Sequence, residues 1–127
     1  MQVLFLWDNA AAQDMDLARQ VVLDGTTDEE IRRLALEWAA GAWVQREISD
    51  TRIERLAPQW PPRRQPGVDR NLIRLAVWEM TNTPTPPKVV LDEAIEMAKH
   101  FSTEQSASFV NGVLDAVLKE HQSLTKE

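Results

Sequence analysis

The chain has 127 residues, 43% of them hydrophobic and 27% charged, which predicts one soluble domain, 1–127, that buries a core without covalent staples. It has no cysteine and only two histidines, His100 and His121, so disulfide scaffolds, thiolate zinc sites, cysteine nucleophiles and a His-rich metal centre are excluded. The net charge of −6 is unevenly spread: residues 1–45 carry −5, residues 46–74 carry +3 and residues 75–127 carry −4, an acidic body with one basic segment and not a strong nonspecific nucleic-acid binder.

The periodicity is helical nearly throughout, with no strand alternation and only four glycines. A first helix starts at the terminus without an N-cap, with Val3, Leu4, Trp7, Ala10 and Ala11 on one face. A short second helix covers about Asp14 to Asp24, with Leu17, Ala18, Val21 and Val22 inward and Gly25 as its C-cap. Thr27-Asp-Glu-Glu30 fits a capping box and opens a third helix, whose stripe is Ile31, Leu34, Ala35, Trp38 and Ala42. Gly41 inside that helix costs about 1 kcal/mol against alanine, which marks a close helix crossing. A fourth helix starts near Ser49 or Asp50, with Ile53, Leu56, Ala57 and Trp60 on one face.

Pro58, Pro61, Pro62 and Pro66 break the chain into a loop, 59–67, that carries Arg63 and Arg64. The fifth helix, about Val68 to Thr81, is apolar over too wide an arc for a surface helix and is expected to be central. Its polar strip is Asp69, Arg70, Asn71, Arg74 and Glu79. After a proline-rich turn at 82–87, a sixth helix buries Val90, Ala94, Met97, Ala98 and Phe101. Ser102-Thr-Glu-Gln105 is a second capping box, and the seventh helix buries Phe109, Val110, Val113, Leu114 and Val117, with a tail that frays from about His121. The expected fold is all-α, with about seven helices.

No motif supplies a nucleophile, a base and an orienting group together, so the chain is not expected to be an enzyme. There is no glycine-rich phosphate loop and no Gly-x-Ser-x-Gly elbow. His100 reads as a helix-end histidine beside Glu96 or facing water, and Asp92, Glu93 and Glu96 as a solvated or partner-facing side without a metal. Among five tryptophans, Trp7, Trp38 and Trp78 fall on or beside apolar stripes. Trp60, flanked by prolines, is the best candidate for an exposed aromatic, with base stacking as its conceivable use. No apolar run approaches the roughly 18 residues of a membrane helix, and no basic flank marks a signal peptide, so a cytoplasmic location is expected.

Three stretches go beyond generic helix: Val68-Asp-Arg-Asn-Leu-Ile-Arg-Leu-Ala-Val-Trp-Glu-Met80, Pro87-Lys-Val-Val-Leu-Asp-Glu-Ala-Ile-Glu-Met-Ala-Lys-His-Phe101 and Phe109-Val-Asn-Gly-Val-Leu-Asp115. In this order and spacing they closely resemble the C-terminal half of the NusB family of bacterial transcription antitermination proteins. Gln2-Val-Leu-Phe-Leu-Trp7 and Gly41 resemble the family's first helix and helix glycine, so the likeness covers nearly the whole chain.

The resemblance implies two packed helical bundles, no cofactor, and a factor that pairs with the NusE-type small-subunit ribosomal protein. The pair would bind the boxA element of nascent ribosomal transcripts within an RNA polymerase antitermination complex. Carried over residue by residue, Asp69, Arg70, Arg74 and Glu79 are candidates for contacting that partner or for holding the bundles together through internal ion pairs, such as Asp69 with a neighbouring arginine. Gln2, Lys88, Lys99, Gln105, Ser106, Phe109 and Asn111 are candidates for RNA contact, with the start of the seventh helix suited to a phosphate and Phe109 more readily read as core. The family opens with an arginine-rich stretch that precedes the residues seen here, whether through a downstream start or a shortened homologue, so weak boxA binding by this chain alone is expected. The alternatives are a NusB-like domain detached from a ribosomal RNA cytosine methyltransferase, and a structural module that forms homodimers.

Overall fold

A computed structural model describes residues 1–10, 12–101 and 103–125, with side chains to residue 123. Among the described residues there are seven α-helices and no strand: α1 Gln2–Ala10, α2 Met15–Gly25, α3 Glu29–Val44, α4 Arg46–Leu56, α5 Gly67–Asn82, α6 Pro87–Phe101 and α7 Glu104–Thr125, with one 3-10 turn at Pro62–Arg64. The predicted order holds. α4 starts three residues earlier than expected, separated from α3 by Gln45 alone. α7 continues to Thr125 instead of fraying from His121.

The helix ends are set by local chemistry. Asp14 caps α2 by accepting the Leu17 N–H at 3.0 Å. Asp28, not Thr27, caps α3, accepting the Glu30 and Ile31 N–H groups at 2.9 and 3.2 Å, with Glu29 and Glu30 on the positive end of the dipole. Gly25 is not a C-cap: it is the last residue of α2, and Thr26 closes the helix in an extended conformation with its N–H on the Val22 carbonyl. At α7 the Thr103 hydroxyl accepts the Ser106 N–H at 3.0 Å. The predicted cap Ser102 and the predicted core residue Ala11 lie outside the described residues.

Two apolar cores form, one on each side of α5. The N-terminal core joins Val3, Leu4 and Trp7 of α1, Ala18 and Val22 of α2, and Ala39, Ala42 and Trp43 of α3, with Leu75 and Trp78 of α5 packed against it. The C-terminal core joins Ile53 of α4 with Leu72, Ile73, Ala76, Val77 and Met80 of α5 and the inner faces of α6 and α7. Sharing α5 explains its broad apolar arc: one helix supplies walls to both bundles. Trp7 and Trp43 meet edge to face at 5.8 Å, and the Trp7 indole N–H donates to the Asp14 carbonyl at 2.8 Å.

The inward stripe of α3 differs from the sequence reading by one position. Ala39, Ala42 and Trp43 are buried, whereas Ile31 (53% exposed) and Ala35 face outward. Ala10, Leu17 and Phe101, expected inside, are also exposed. The reason is tertiary: α5 approaches α3 on the flank that bears Gly41, so the stripe follows that contact and not the strongest local period.

That contact requires a glycine. A Cβ on Gly41 would fall 2.5 Å from Cζ2 and 2.6 Å from Cε2 of Trp78, closer than any real packing. Gly41→Ala is therefore expected to destabilise the fold by about 1–3 kcal/mol through overpacking, although alanine is the better helix former. Urea unfolding checks this, and a variant as stable as the parent would show that α3 and α5 can part without cost.

Candidate nucleic-acid interface

The polar strip of α5 lies inside the protein. Asp69, Asn71, Arg74 and Glu79 are buried and Arg70 is half-buried. Arg70 donates to Asp8 of α1 from Nε at 2.8 Å and from Nη2 at 2.6 Å, and also to the Pro62 carbonyl at 3.1 Å. Arg74 is forked onto Asp50 of α4 at 2.9 and 2.6 Å and reaches the other Asp8 oxygen at 3.2 Å. Asn71 donates to Asp8 at 3.0 Å and to the Gly67 carbonyl at 2.8 Å. One carboxylate of the N-terminal bundle is thus held by three side chains of the central helix. Burial alone would raise the Asp8 pKa, but the Arg70 and Asn71 hydrogen bonds and the charges of Arg74 and Arg70 outweigh it and hold the carboxyl below its usual range. Burial would lower the Arg74 pKa, and Asp50 and Asp8 overcome that and raise it.

Of the two roles open to this strip, the geometry realises the internal one. The predicted pairing of Asp69 with an arginine is corrected: its side-chain partner is the Ser106 hydroxyl of α7, and burial raises its pKa against that hydrogen bond. Glu79 faces Glu93 and is likewise raised, first by burial and then by that like charge.

A second constellation forms where the proline loop meets α7. Trp60, 55% exposed as its proline setting suggested, stacks edge to face on Phe109 at 5.7 Å. Gln65 anchors the loop by donating to the Trp60 carbonyl at 3.0 Å. A cavity of about 270 Å³ opens there, lined by Trp60, Arg64, Asp69, Gln105, Ser106 and Phe109 among others, beside the first turn of α7. A larger groove of about 670 Å³ runs from the same Trp60–Phe109 pair along α4 and α7. Phe109 is half-buried, a wall of both cavities and not plain core.

The structure brings Gln105, Ser106, Phe109 and Asp69 into one place and leaves the other candidates outside it. Gln2 lines a neighbouring apolar groove with Phe5, Val68 and Phe101. Lys99 is exposed on the last turn of α6 and paired with Glu96 at 3.5 Å. Lys88 is exposed in the first turn of α6, roughly 16 Å along the axis from Lys99. Asn111 is exposed farther along α7. Trp60 and Arg64 complete the site but carry no motif of their own; the proline run was their only signal.

The basic segment is largely neutralised from within. Arg46 lies over the Trp43 ring at 4.0 Å, Arg52 and Arg55 hold Glu120 at 2.7 and 2.6 Å, Arg63 faces Glu54 at 3.6 Å, and Arg70 and Arg74 hold Asp8 and Asp50. Arg64 is exposed and without an ion pair among the described residues. Among the described residues no helix is long and apolar enough to cross a membrane, and no acidic or histidine group is arranged to hold a metal.

The NusB family model matches residues 1–119. The transcription antitermination protein NusB of Solibacter usitatus is 44% identical over 123 residues, spanning 94% of this chain and 84% of that protein. The fold superposes on a crystal structure of the antitermination factors NusB and NusE in complex with dsRNA with a TM-score of 0.83 and 28% identity, covering 93% of this chain and 89% of that one. It superposes on a structure of T. maritima NusB with a TM-score of 0.82 and 35% identity, covering 94% of this chain and 84% of that one.

Removing Asp8 leaves Arg70 and Arg74, one turn apart on α5, without the carboxylate they share. Asp8→Ala is expected to cost about 2–4 kcal/mol at neutral pH, less than a fully buried pair because Asp50 still holds Arg74 and water reaches Arg70. Because the folded carboxyl titrates below its usual range, its contribution is complete above about pH 4 and is lost as the pH falls through the lowered value. Denaturant titrations from pH 7 to pH 2 should therefore show the parent and the variant converging in acid; a constant gap across that range would remove Asp8 from the account.

Proposed function

The chain belongs to the NusB family, and from that premise we propose that it works as one domain, residues 1–127, as a cytoplasmic antitermination factor that pairs with a NusE-type ribosomal protein and binds boxA RNA of nascent ribosomal transcripts, so that RNA polymerase reads through terminators. The observation that carries the RNA part is the convergence at the start of α7: an exposed tryptophan edge-on to a phenylalanine, an exposed arginine without an ion pair among the described residues, and a helix N-terminus beside a cavity. Aromatic faces accept unpaired bases, and the cation and helix N-H groups accept phosphate. The neighbouring structure that holds NusB, NusE and dsRNA supports the same pairing of ligands. The chain spans most of the length of a relative named as an antitermination protein, which favours this reading over a domain detached from a methyltransferase.

The acidic body supports a basic protein partner. Asp16, Asp24, Asp28, Glu29 and Glu30 are exposed along α2 and the start of α3, and Asp92, Glu93 and Glu96 along α6. Arg70 and Arg74 serve that partner indirectly, by fixing the two bundles in one arrangement through Asp8 and Asp50. A homodimer through the same surface is the competing association. Charge complementarity speeds encounter and makes it salt-sensitive.

Two measurements test this. Calorimetry with the NusE-type protein at low salt should give a 1:1 complex that weakens as salt rises; no complex, or a homodimer that excludes the partner, would contradict the pairing. For RNA, Arg64→Ala should weaken boxA binding about three- to tenfold, as loss of one phosphate contact implies, while Arg63→Ala should change it less because Arg63 faces Glu54. Equal losses at the two positions would move the RNA away from the α7 cavity.

A further inference from the structure

The loop between α4 and α5 is poor in backbone donors. Pro58, Pro61, Pro62 and Pro66 have no N–H. The N–H groups of Trp60, Arg64 and Gln65 make local turn bonds, to the carbonyls of Ala57, Pro61 and Pro62. The ties that fix the loop must therefore come from side chains. Gln65 is buried and donates from Nε2 to the Trp60 carbonyl at 3.0 Å. Arg70 of α5 donates from Nη1 to the Pro62 carbonyl at 3.1 Å and to the Gln65 carbonyl at 3.4 Å. The other edge of the same guanidinium, Nε and Nη2, is on Asp8 of α1 at 2.8 and 2.6 Å. Among the described residues, the other polar tie from 58–65 to a neighbouring helix is the exposed Arg63–Glu54 pair at 3.6 Å. One planar group thus joins the N-terminal bundle on one edge to the loop on the other, and that loop carries Trp60 and Arg64.

We propose that Arg70 is the positioning residue of this loop: it holds Trp60 and Arg64 in place through the Pro62 and Gln65 carbonyls, and Asp8 of α1 sets its aim. The job needs a guanidinium. Its donors lie in a rigid planar fork, so two edges work at a fixed angle, whereas a lysine ammonium is a single point that serves the carboxylate or the carbonyls. Gln65 completes the relay, because the carbonyl that Arg70 takes and the side chain that holds Trp60 belong to one residue. The edge-to-face contact with Phe109 leaves the Trp60 ring 55% exposed, and an apolar contact without direction does not fix a ring by itself. Asp8 lies outside both cavities that Trp60 lines, so what a change at Asp8 does to Trp60 passes through Arg70. A loop ordered in advance spares the ligand the cost of ordering it. The value of this to RNA rests on the RNA-binding reading above; the tether itself does not.

The test labels the full chain with fluorotryptophan and follows its fluorine NMR lines without RNA, Trp60→Phe identifying the Trp60 line. Arg70→Lys keeps a cation for Asp8, and Gln65→Met keeps the length of the side chain without its donor. Each should move the Trp60 line toward its unfolded position and leave the Trp38 and Trp78 lines in place. Asp8→Asn should move the Trp60 line the same way. Arg52→Lys, at an ion pair of similar burial between α4 and α7, should leave it unmoved. A boxA RNA should then bind Arg70→Lys about two- to tenfold more weakly than the parent, the cost of immobilising one long side chain on binding. A Trp60 line that stays put in Arg70→Lys overturns the proposal, and one that moves there but not in Asp8→Asn overturns the role of α1. If circular dichroism shows Arg70→Lys unfolded, Gln65→Met and Asp8→Asn decide, and the proposal falls unless both move the line. A moved line with unchanged boxA affinity contradicts RNA contact at this loop and leaves the tether standing.

Discussion

Arg74 sits between two carboxylates, Asp8 of α1 and Asp50 of α4, while Arg70 takes the same Asp8 from the other side. This arrangement, with Asn71 on the same Asp8, ties α1 and α4 to α5, and it does so at the seam between the two cores. Apolar packing would let α1 slide along α5 at small cost. A forked guanidinium on a carboxylate does not, because its geometry is planar and directional. The network therefore sets how the N-terminal bundle meets the C-terminal one, and Gly41 sets how closely, by leaving room for Trp78.

The same chemistry decides what is left for RNA. A segment with seven arginines and four acidic residues reads as a basic patch in one dimension. Folded, six of those arginines are engaged: four in tying helices to one another, one on a tryptophan ring and one facing Glu54. What remains for the proposed RNA contact is a small region at the start of α7, where the proline loop holds Trp60 against Phe109 and Arg64 has no ion pair among the described residues. On the proposed reading, recognition there rests on shape and stacking more than on a field of charge, and the acidic remainder of the surface suits a basic protein that brings cations of its own.

Much of this was legible in the sequence. The seven helices, their order, the central place of α5 and the close crossing at Gly41 follow from period, proline and glycine alone, and they hold. The three motif blocks identified the family before any coordinates did. What the sequence did not disclose is long-range. Asp8 lies more than sixty positions from its arginines, and nothing local distinguishes it from the other acidic residues. Trp43 was passed over because its helix showed a stronger period one position away, and only the docking of α5 reveals which stripe is inside. Asp69 was legible as a polar residue in a buried helix but not as one whose partner is a serine 37 positions later.

The central claim is that the arginines of residues 46–74 hold the fold together and that few cations reach the RNA. The salt dependence of binding measures this directly, because each phosphate contact on a single strand adds about 0.7 to the slope of log affinity against log salt. If the account is right, a boxA RNA titrated with the chain alone over a range of salt gives a slope of about 1 to 2. A slope near 5, which seven arginines on phosphates would produce at about 0.7 each, would contradict it.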